Sequence, residues 1–254
     1  MTEEKKQDNC NTFGLLGKNI SYSFSSGYFK EKFDELELLH YQYKNFEIQS
    51  IQEFPLLLKQ NKALCGMNVT IPYKEEILPF LTEIDAEAKE IGAVNTIQFL
   101  KNGKCKGYNT DVVGFLNSLK PLLELHHTKA LIIGTGGASK AIAYALKKLH
   151  IDFVFVSRNP ENENEIPYSN LTQELISEHT IIVNCTPLGT FPETDLCPNI
   201  PYQYITSKHL LYDLIYNPAL STFLQNGKNK GAIIKNGLEM LQLQAEKSWQ
   251  IWNS

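Results

Sequence analysis

Ten residues limit the folding options of this chain more than any others. Ala130-Leu131-Ile132-Ile133 is wholly apolar, and it runs straight into Gly134-Thr135-Gly136-Gly137-Ala138-Ser139. A short apolar run stopped by glycine reads as a buried strand, and Lys140 to Leu149 carries apolar residues at helical spacing. Strand, glycine turn and helix in this order open a dinucleotide-binding unit. The glycines allow a tight turn and bring a pyrophosphate up to the helix N-terminus, where unpaired N–H groups and the macrodipole favour anions. Ser139 stands at the third glycine position of that fingerprint. A ligand-free strand–turn–helix has the same local pattern, so discrimination falls to the next strand.

That strand, Phe153 to Val156, ends in Ser157-Arg158-Asn159. Units that bind NAD usually place an Asp or Glu about 20 residues past the glycines, on the ribose 2′-hydroxyl. A carboxylate there would repel a 2′-phosphate, whereas a guanidinium can bind it in bidentate fashion. Ser157 and Arg158 therefore point to NADP(H). The alternative is a solvated surface arginine.

Alternation continues on both sides of this unit. Strand-like runs at Ile181–Asn184, Leu210–Tyr212 and Ile233-Ile234 imply a parallel sheet covered by helices. Before it, Phe13–Gly17, Tyr41–Ile48 and Cys65–Ile71 read as strands, with a helical pattern from Tyr28 to Leu39. Lys74–Leu81 and Asp85–Ile91 read as helices, and Asn102-Gly103 marks a hairpin between Ala93–Phe99 and Lys104–Tyr108. Asp111–Leu125 reads as a bridging helix, Asn159–Asn170 as a mobile loop, and Leu238–Trp252 as a closing helix that returns to the first domain. The expectation is an α/β protein of two domains. A substrate-binding domain covers 12–111 and is completed by the C-terminal helix 238–254, and a Rossmann-type NADP-binding domain covers 112–237.

Composition excludes several classes. The 254 residues are 43% hydrophobic with a net charge of −4 and no basic block, which argues against nucleic acid as partner. No apolar run reaches membrane-spanning length, and residues 1–12 lack the apolar core of a secretory signal. Five cysteines without C-x-x-C spacing are expected as free thiols in a reducing compartment, so the protein should be cytoplasmic. The six histidines show no ligand spacing, no metal is expected, and His126-His127 should lie in a surface loop.

Three further constellations carry chemistry. In Asn68-Val69-Thr70-Ile71-Pro72-Tyr73-Lys74, Pro72 stops a strand and Lys74 begins a helix at the strand's end. Strand ends border ligand crevices, a lysine there can act as acid or base, and Thr70 and Asn68 can bind a polyol. Lys74 could equally open a solvated face with Glu75 and Glu76. Asn95-Thr96 and Asn109-Thr110-Asp111 stand at strand ends, with Asp111 as either a catalytic group or an N-cap. The hydroxyls from Ser21 to Ser26 can hold a carboxylate or cap the next helix.

Taken in order, these segments resemble the shikimate dehydrogenase family along nearly the whole chain. Gly17-Lys-Asn-Ile20-Ser-Tyr22-Ser23-Phe24-Ser25-Ser26 is similar to its G-x-P-I-x-H-S-x-S-P, with Tyr22 for His and Ser26 for Pro. Asn68–Lys74 keeps its N-V-T-x-P-x-K, Gly92–Thr96 its G-A-V-N-T, and Asn109–Asp111 its N-T-D. Gly134–Ala138 matches its G-x-G-G-A, and Ser157-Arg158-Asn159 stands for N-R-T. Asn184–Gly189 stands for N-A-T-S-x-G, and Asp213–Pro218 is its D-x-x-Y-x-P. Gly237, Met240, Leu241, Gln244 and Ala245 fit its closing G-x-x-M-L-x-x-Q-A.

The resemblance implies an enzyme that reduces 3-dehydroshikimate to shikimate reversibly with NADP(H), in the biosynthesis of chorismate and aromatic amino acids. Lys74 and Asp111 would be catalytic; Ser23, Ser25, Thr70, Asn95, Tyr216 and Gln244 would bind substrate. Gly134, Thr135, Gly136, Gly137, Ala138, Ser157, Arg158 and Gly237 would hold the cofactor, in a monomer or homodimer. The alternatives are a quinate/shikimate paralogue taking another polyol acid or NAD, and a non-catalytic NADP-binding sensor.

Overall fold

The computed structural model of the chain describes residues 11–20, 23–100 and 103–254. It divides into two compact units, one running up to Asn109 together with Ser248–Ser254, the other Thr110–Lys247.

The first unit is a six-stranded mixed sheet. Its elements are β1 (Thr12–Gly17), α1 (Phe24–Glu35), β2 (Gln42–Glu47), α2 (Phe54–Gln60), β3 (Leu64–Val69), α3 (Tyr73–Glu76), β4 (Glu83–Ile84), α4 (Ala86–Ile91), β5 (Thr96–Phe99) and β6 (Cys105–Tyr108). The strand order is β2-β1-β3-β5-β6-β4. β1 is parallel to β2 and β3, and every one of its residues is buried, as is every residue of β3. Near-continuous apolar runs suit strands covered on both faces. β5 runs antiparallel to β3 and β6. Gly103 supplies the left-handed residue of the hairpin at φ +78°, while Asn102 lies outside the described residues.

The second unit is a six-stranded parallel sheet. Its elements are α5 (Asp111–Leu119), β7 (Lys129–Ile133), α6 (Gly137–Lys148), β8 (Asp152–Ser157), β9 (Glu165–Pro167), α7 (Gln173–Glu178), β10 (Ile181–Asn184), β11 (Leu210–Asp213), α8 (Thr222–Asn229), β12 (Ile233–Lys235) and α9 (Leu238–Trp252). Counted along the chain, the spatial order β9-β8-β7-β10-β11-β12 is 3-2-1-4-5-6, the doubly wound dinucleotide-binding arrangement. All its pairings are parallel. Its core holds Leu131, Ile133, Val156, Ile182, Leu211 and Phe223. The last turns of α9 belong to the first unit, where Trp252 packs on Phe13 and Phe29 and donates its indole N–H to the Ile97 carbonyl at 3.0 Å.

Several sequence expectations need correction. The helix expected over Lys74–Leu81 stops at Glu76 and gives way to a 3-10 turn at Leu78–Phe80, because Pro79 has no N–H for a helical bond. Pro121 likewise ends the bridging helix at Leu119 rather than Leu125. The first helix spans Phe24–Glu35, ahead of the expected Tyr28–Leu39, and the chain turns away at Glu37 with φ +56°. The loop expected to be mobile, Asn159–Asn170, holds β9, and Glu165 accepts bonds from Asn162 Nδ2 and Glu161 N. His127 is buried, with the Glu124 N–H donating to its Nδ1. Cys105, Cys185 and Cys197 are free thiols, but Cys65 is in a disulfide; absence of a local C-x-x-C motif says nothing about pairing through space.

Candidate functional site

In the first unit, three segments reach one edge of the sheet. β1 and β3 are parallel neighbours, with Leu16 opposite Val69, so the residues that follow each leave from the same end. Ser23 and Ser25 follow β1; Thr70 and Lys74 follow β3. β5 runs the other way, with Thr96 opposite Asn68, which brings Asn95 to that same edge. Backbone bonds hold the corner: Thr70 N to Leu16 O at 2.9 Å, Val69 N to Asn95 O at 2.8 Å, and Val94 N to Lys74 O at 2.7 Å.

The serines are placed as follows. Ser23 is the N-cap residue of α1, yet its side chain makes no capping bond. Ser25 is buried and donates to the Tyr43 phenol oxygen. Tyr43 in turn donates to Asn68 Oδ1 at 2.8 Å, and burial pushes its phenol well above the usual tyrosine range. Asn68 Nδ2 donates to Ser248 Oγ at 3.0 Å and Thr96 Oγ1 at 3.2 Å. Asn95 is buried and its Oδ1 accepts from Thr96 Oγ1 at 3.1 Å. Tyr43 carries no site signal in the sequence beyond its place in a strand. Ser26, where the family pattern has Pro, donates to Asn45 Oδ1 at 2.8 Å and so ties the start of α1 to β2. Tyr22 lies outside the described residues.

In the second unit, Asp111 is the first residue of α5 and is buried, while Thr110 occupies the N-cap position. The N-cap alternative for Asp111 is thus corrected by one residue. Thr110 Oγ1 donates to Gln244 Oε1 at 3.3 Å, which sets Gln244 beside the start of α5. Tyr216 follows β11, and burial raises its phenol. Gly237 N donates to Ile215 O at 3.0 Å; a side chain at Gly237 would put its Cβ 2.1 Å from Leu214 O, so only glycine fits.

The glycine turn joins β7 to α6. Gly134 has φ +101°, a value open to glycine, and donates to Val156 O at 2.9 Å. Gly136 is the N-cap of α6, with no side-chain cap and no acidic residue in the first turn. Nothing lies within 4 Å of where a Cβ on Gly136 would stand. Thr135 is exposed, Gly137 and Ala138 open the helix, and Ser139 donates to Gly136 O at 2.6 Å. β8, the parallel neighbour of β7, ends at Ser157, so exposed Arg158 leaves from the same sheet edge as the turn. Ser157 Oγ is engaged locally with Asn159. Open backbone N–H groups at a helix start, with a guanidinium on the adjoining strand end, fit the phosphates of NADP(H).

One buried polar group is not marked as chemistry by sequence spacing. Asp213, at the end of β11, is fully buried and accepts from Asn184, Ile215 and Ser221. Its signal is a polar residue closing the apolar run Leu210-Leu211-Tyr212. Burial raises its carboxyl to about 6 despite those bonds. Burial, with the neighbouring Asp213 charge, holds the Cys185 thiol far above its ordinary range, so Cys185 stays protonated. Among the described residues no group of His, Cys, Asp or Glu is arranged to hold a metal ion, and no helix is long and apolar enough to cross a membrane.

Residues 15–97 match the shikimate dehydrogenase substrate binding domain. The chain is 36% identical to shikimate dehydrogenase (NADP(+)) of Methanosphaera stadtmanae, covering 94% of this chain and 90% of that protein. It is 39% identical to the enzyme of that name from Clostridium botulinum, covering 95% and 96%. It superposes with a TM-score of 0.84 on shikimate 5-dehydrogenase from Thermus thermophilus, solved in complex with NADP(H) and shikimate, at 29% identity and 95% and 93% coverage. The chain therefore belongs to the shikimate dehydrogenase family and is an NADP-dependent oxidoreductase.

Proposed function

We propose that the chain interconverts 3-dehydroshikimate and shikimate through Lys74 and Asp111. When bound, NADPH supplies the hydride. The Lys74 ammonium stabilises negative charge developing on the substrate oxygen and delivers the proton there. Asp111 orients Lys74 and accepts from the neighbouring ring hydroxyl. Ser23 and Ser25 bind the substrate carboxylate, and Thr70, Asn95, Tyr216 and Gln244 bind the remaining polar groups. Gly134 to Ala138 hold the pyrophosphate, Gly237 borders the nicotinamide, and Ser157 with Arg158 takes the 2′-phosphate. The observation that carries the reading is the intact run Asn68–Lys74, folded so that Thr70 and Lys74 share a sheet edge with Ser23, Ser25 and Asn95. We place the enzyme in the cytoplasm, as a monomer or homodimer. The test is a panel of shikimate and quinate, each with NADP⁺ and NAD⁺, followed by absorbance of the reduced cofactor. Fastest turnover with shikimate and NADP⁺ supports the reading; a preference for quinate with NAD⁺, or no turnover with any pair, refutes it.

A further inference from the structure

Asp213 is a fully buried carboxylate whose three partners are all neutral. Its Oδ1 accepts from Asn184 Nδ2 at 3.0 Å and from Ile215 N at 3.1 Å, and its Oδ2 accepts from Ser221 Oγ, the N-cap of α8. The consequence lies at Asn184. A carboxamide has nearly the same shape either way round, and its neighbours decide which end carries the donors. With Nδ2 committed to Asp213, Oδ1 faces Thr186 and accepts from both its N–H, at 3.0 Å, and its hydroxyl, at 2.7 Å. Turned over, the amide would present donors to the Thr186 N–H and oxygen to an anion. Asn184 is itself fully buried, so water cannot repair that mismatch.

Thr186 passes the constraint on. Its hydroxyl accepts from Leu188 N at 3.3 Å, which shapes the turn after β10. Its methyl lies 3.1 Å from where a Cβ on Gly134 would stand, against the glycine turn at the end of β7. β10 and β7 are neighbours at the point where the strand order reverses, and Cys185 N donates to Ile133 O at 2.9 Å. The relay therefore ends on the crevice side of the sheet, beside the turn assigned to the pyrophosphate.

We propose that Asp213 is a positioning residue for NADP(H) binding: by holding the Asn184 amide in one orientation it fixes Thr186, and with it the backbone lying against Gly134. This rests on the reading that the glycine turn holds the cofactor, and the experiment separates the two. NADPH affinity is measured by fluorescence titration on the full chain for wild type, Asp213→Ala, Asp213→Asn, Thr186→Val and Gly136→Asp, alongside shikimate KM and thermal melting. Asp213→Ala is expected to weaken NADPH binding about 10-fold, the scale of one lost hydrogen bond, with shikimate KM within about 2-fold of wild type. Asp213→Asn keeps an oxygen for Asn184 and Ile215 and should recover most of that loss. Thr186→Val cuts the relay at its far end with Asp213 in place, and should weaken NADPH binding to a similar degree even if Asp213→Ala does not fold. Wild-type affinity in Thr186→Val, or an equal loss in Asp213→Ala and Asp213→Asn, overturns the proposal. Gly136→Asp fits sterically and adds a favourable N-cap, so it should fold and yet repel the phosphates. Unchanged affinity there overturns the glycine-turn reading itself; a loss there with none in the Asp213 and Thr186 variants overturns only the relay.

Discussion

Arg158 is one exposed side chain, and in the proposed function cofactor choice turns on it. In the proposed role it makes a charge-assisted pair with the 2′-phosphate, worth about 1.5–3 kcal/mol. Arg158→Ala should then raise KM for NADP⁺ by about 10- to 100-fold while KM for NAD⁺ stays near its wild-type value. Steady-state kinetics with both cofactors check this, and a parallel rise for both would remove Arg158 from the 2′-phosphate site. Asp213 makes a different prediction, about stability. Its folded carboxyl titrates near 6, against an ordinary value of 3.8. A raised acid is destabilising when ionised, so its stabilising share is complete below about 3.8 and is lost as pH rises through about 6. The cost at pH 8 is about 3 kcal/mol. Asp213→Asn removes the charge and should be more stable than wild type at pH 8 by up to that amount, with the gain fading towards pH 4. Urea denaturation at both pH values would show it, and a pH-independent difference would mean that burial of the charge is not the cause.

Elements are legible in the sequence where burial imposes one period. β10 and α9 have the bounds expected from sequence, because an apolar run of three closed by Asn184 and a long helical repeat leave little freedom. Three short helices do not show: α2, α7 and α8, of seven, six and eight residues, carry too little repeat to stand out, whereas α4, expected over Asp85–Ile91, spans Ala86–Ile91. Pro79 and Pro121 cut helices whose apolar spacing runs on past them, since spacing does not register a missing N–H. At the end of α9, Trp252 is nearly buried among Phe13 and Phe29 and spends its indole N–H on Ile97. Trp252→Ala should cost about 3–5 kcal/mol, the usual loss for a buried Trp. Chemical denaturation read by near-ultraviolet circular dichroism measures it; a loss below about 1 kcal/mol would show that this end of the helix does not hold the first unit together.

At the scale of the molecule, the joint order of short motifs says more than any one of them. The strand–glycine–helix unit and the parallel alternation point to the second sheet and its ligand edge. What stays hidden depends on partners far apart in the chain. Tyr43 meets Asn68, and Asn184 meets Asp213, across 25 and 29 positions respectively. No periodicity encodes such pairs. The assignment of Lys74 and Asp111 as one catalytic pair is the point on which the functional reading stands. It is tested most directly by the turnover of shikimate with NADP⁺ in wild type, Lys74→Ala, Asp111→Asn and the double variant, with melting of all four. The expected result is a fall of about 10²–10⁴-fold in Lys74→Ala, a comparable fall in Asp111→Asn, a double variant little worse than the worse single, and melting close to wild type throughout. Near-wild-type turnover in Lys74→Ala, or losses that multiply in the double variant, would contradict it.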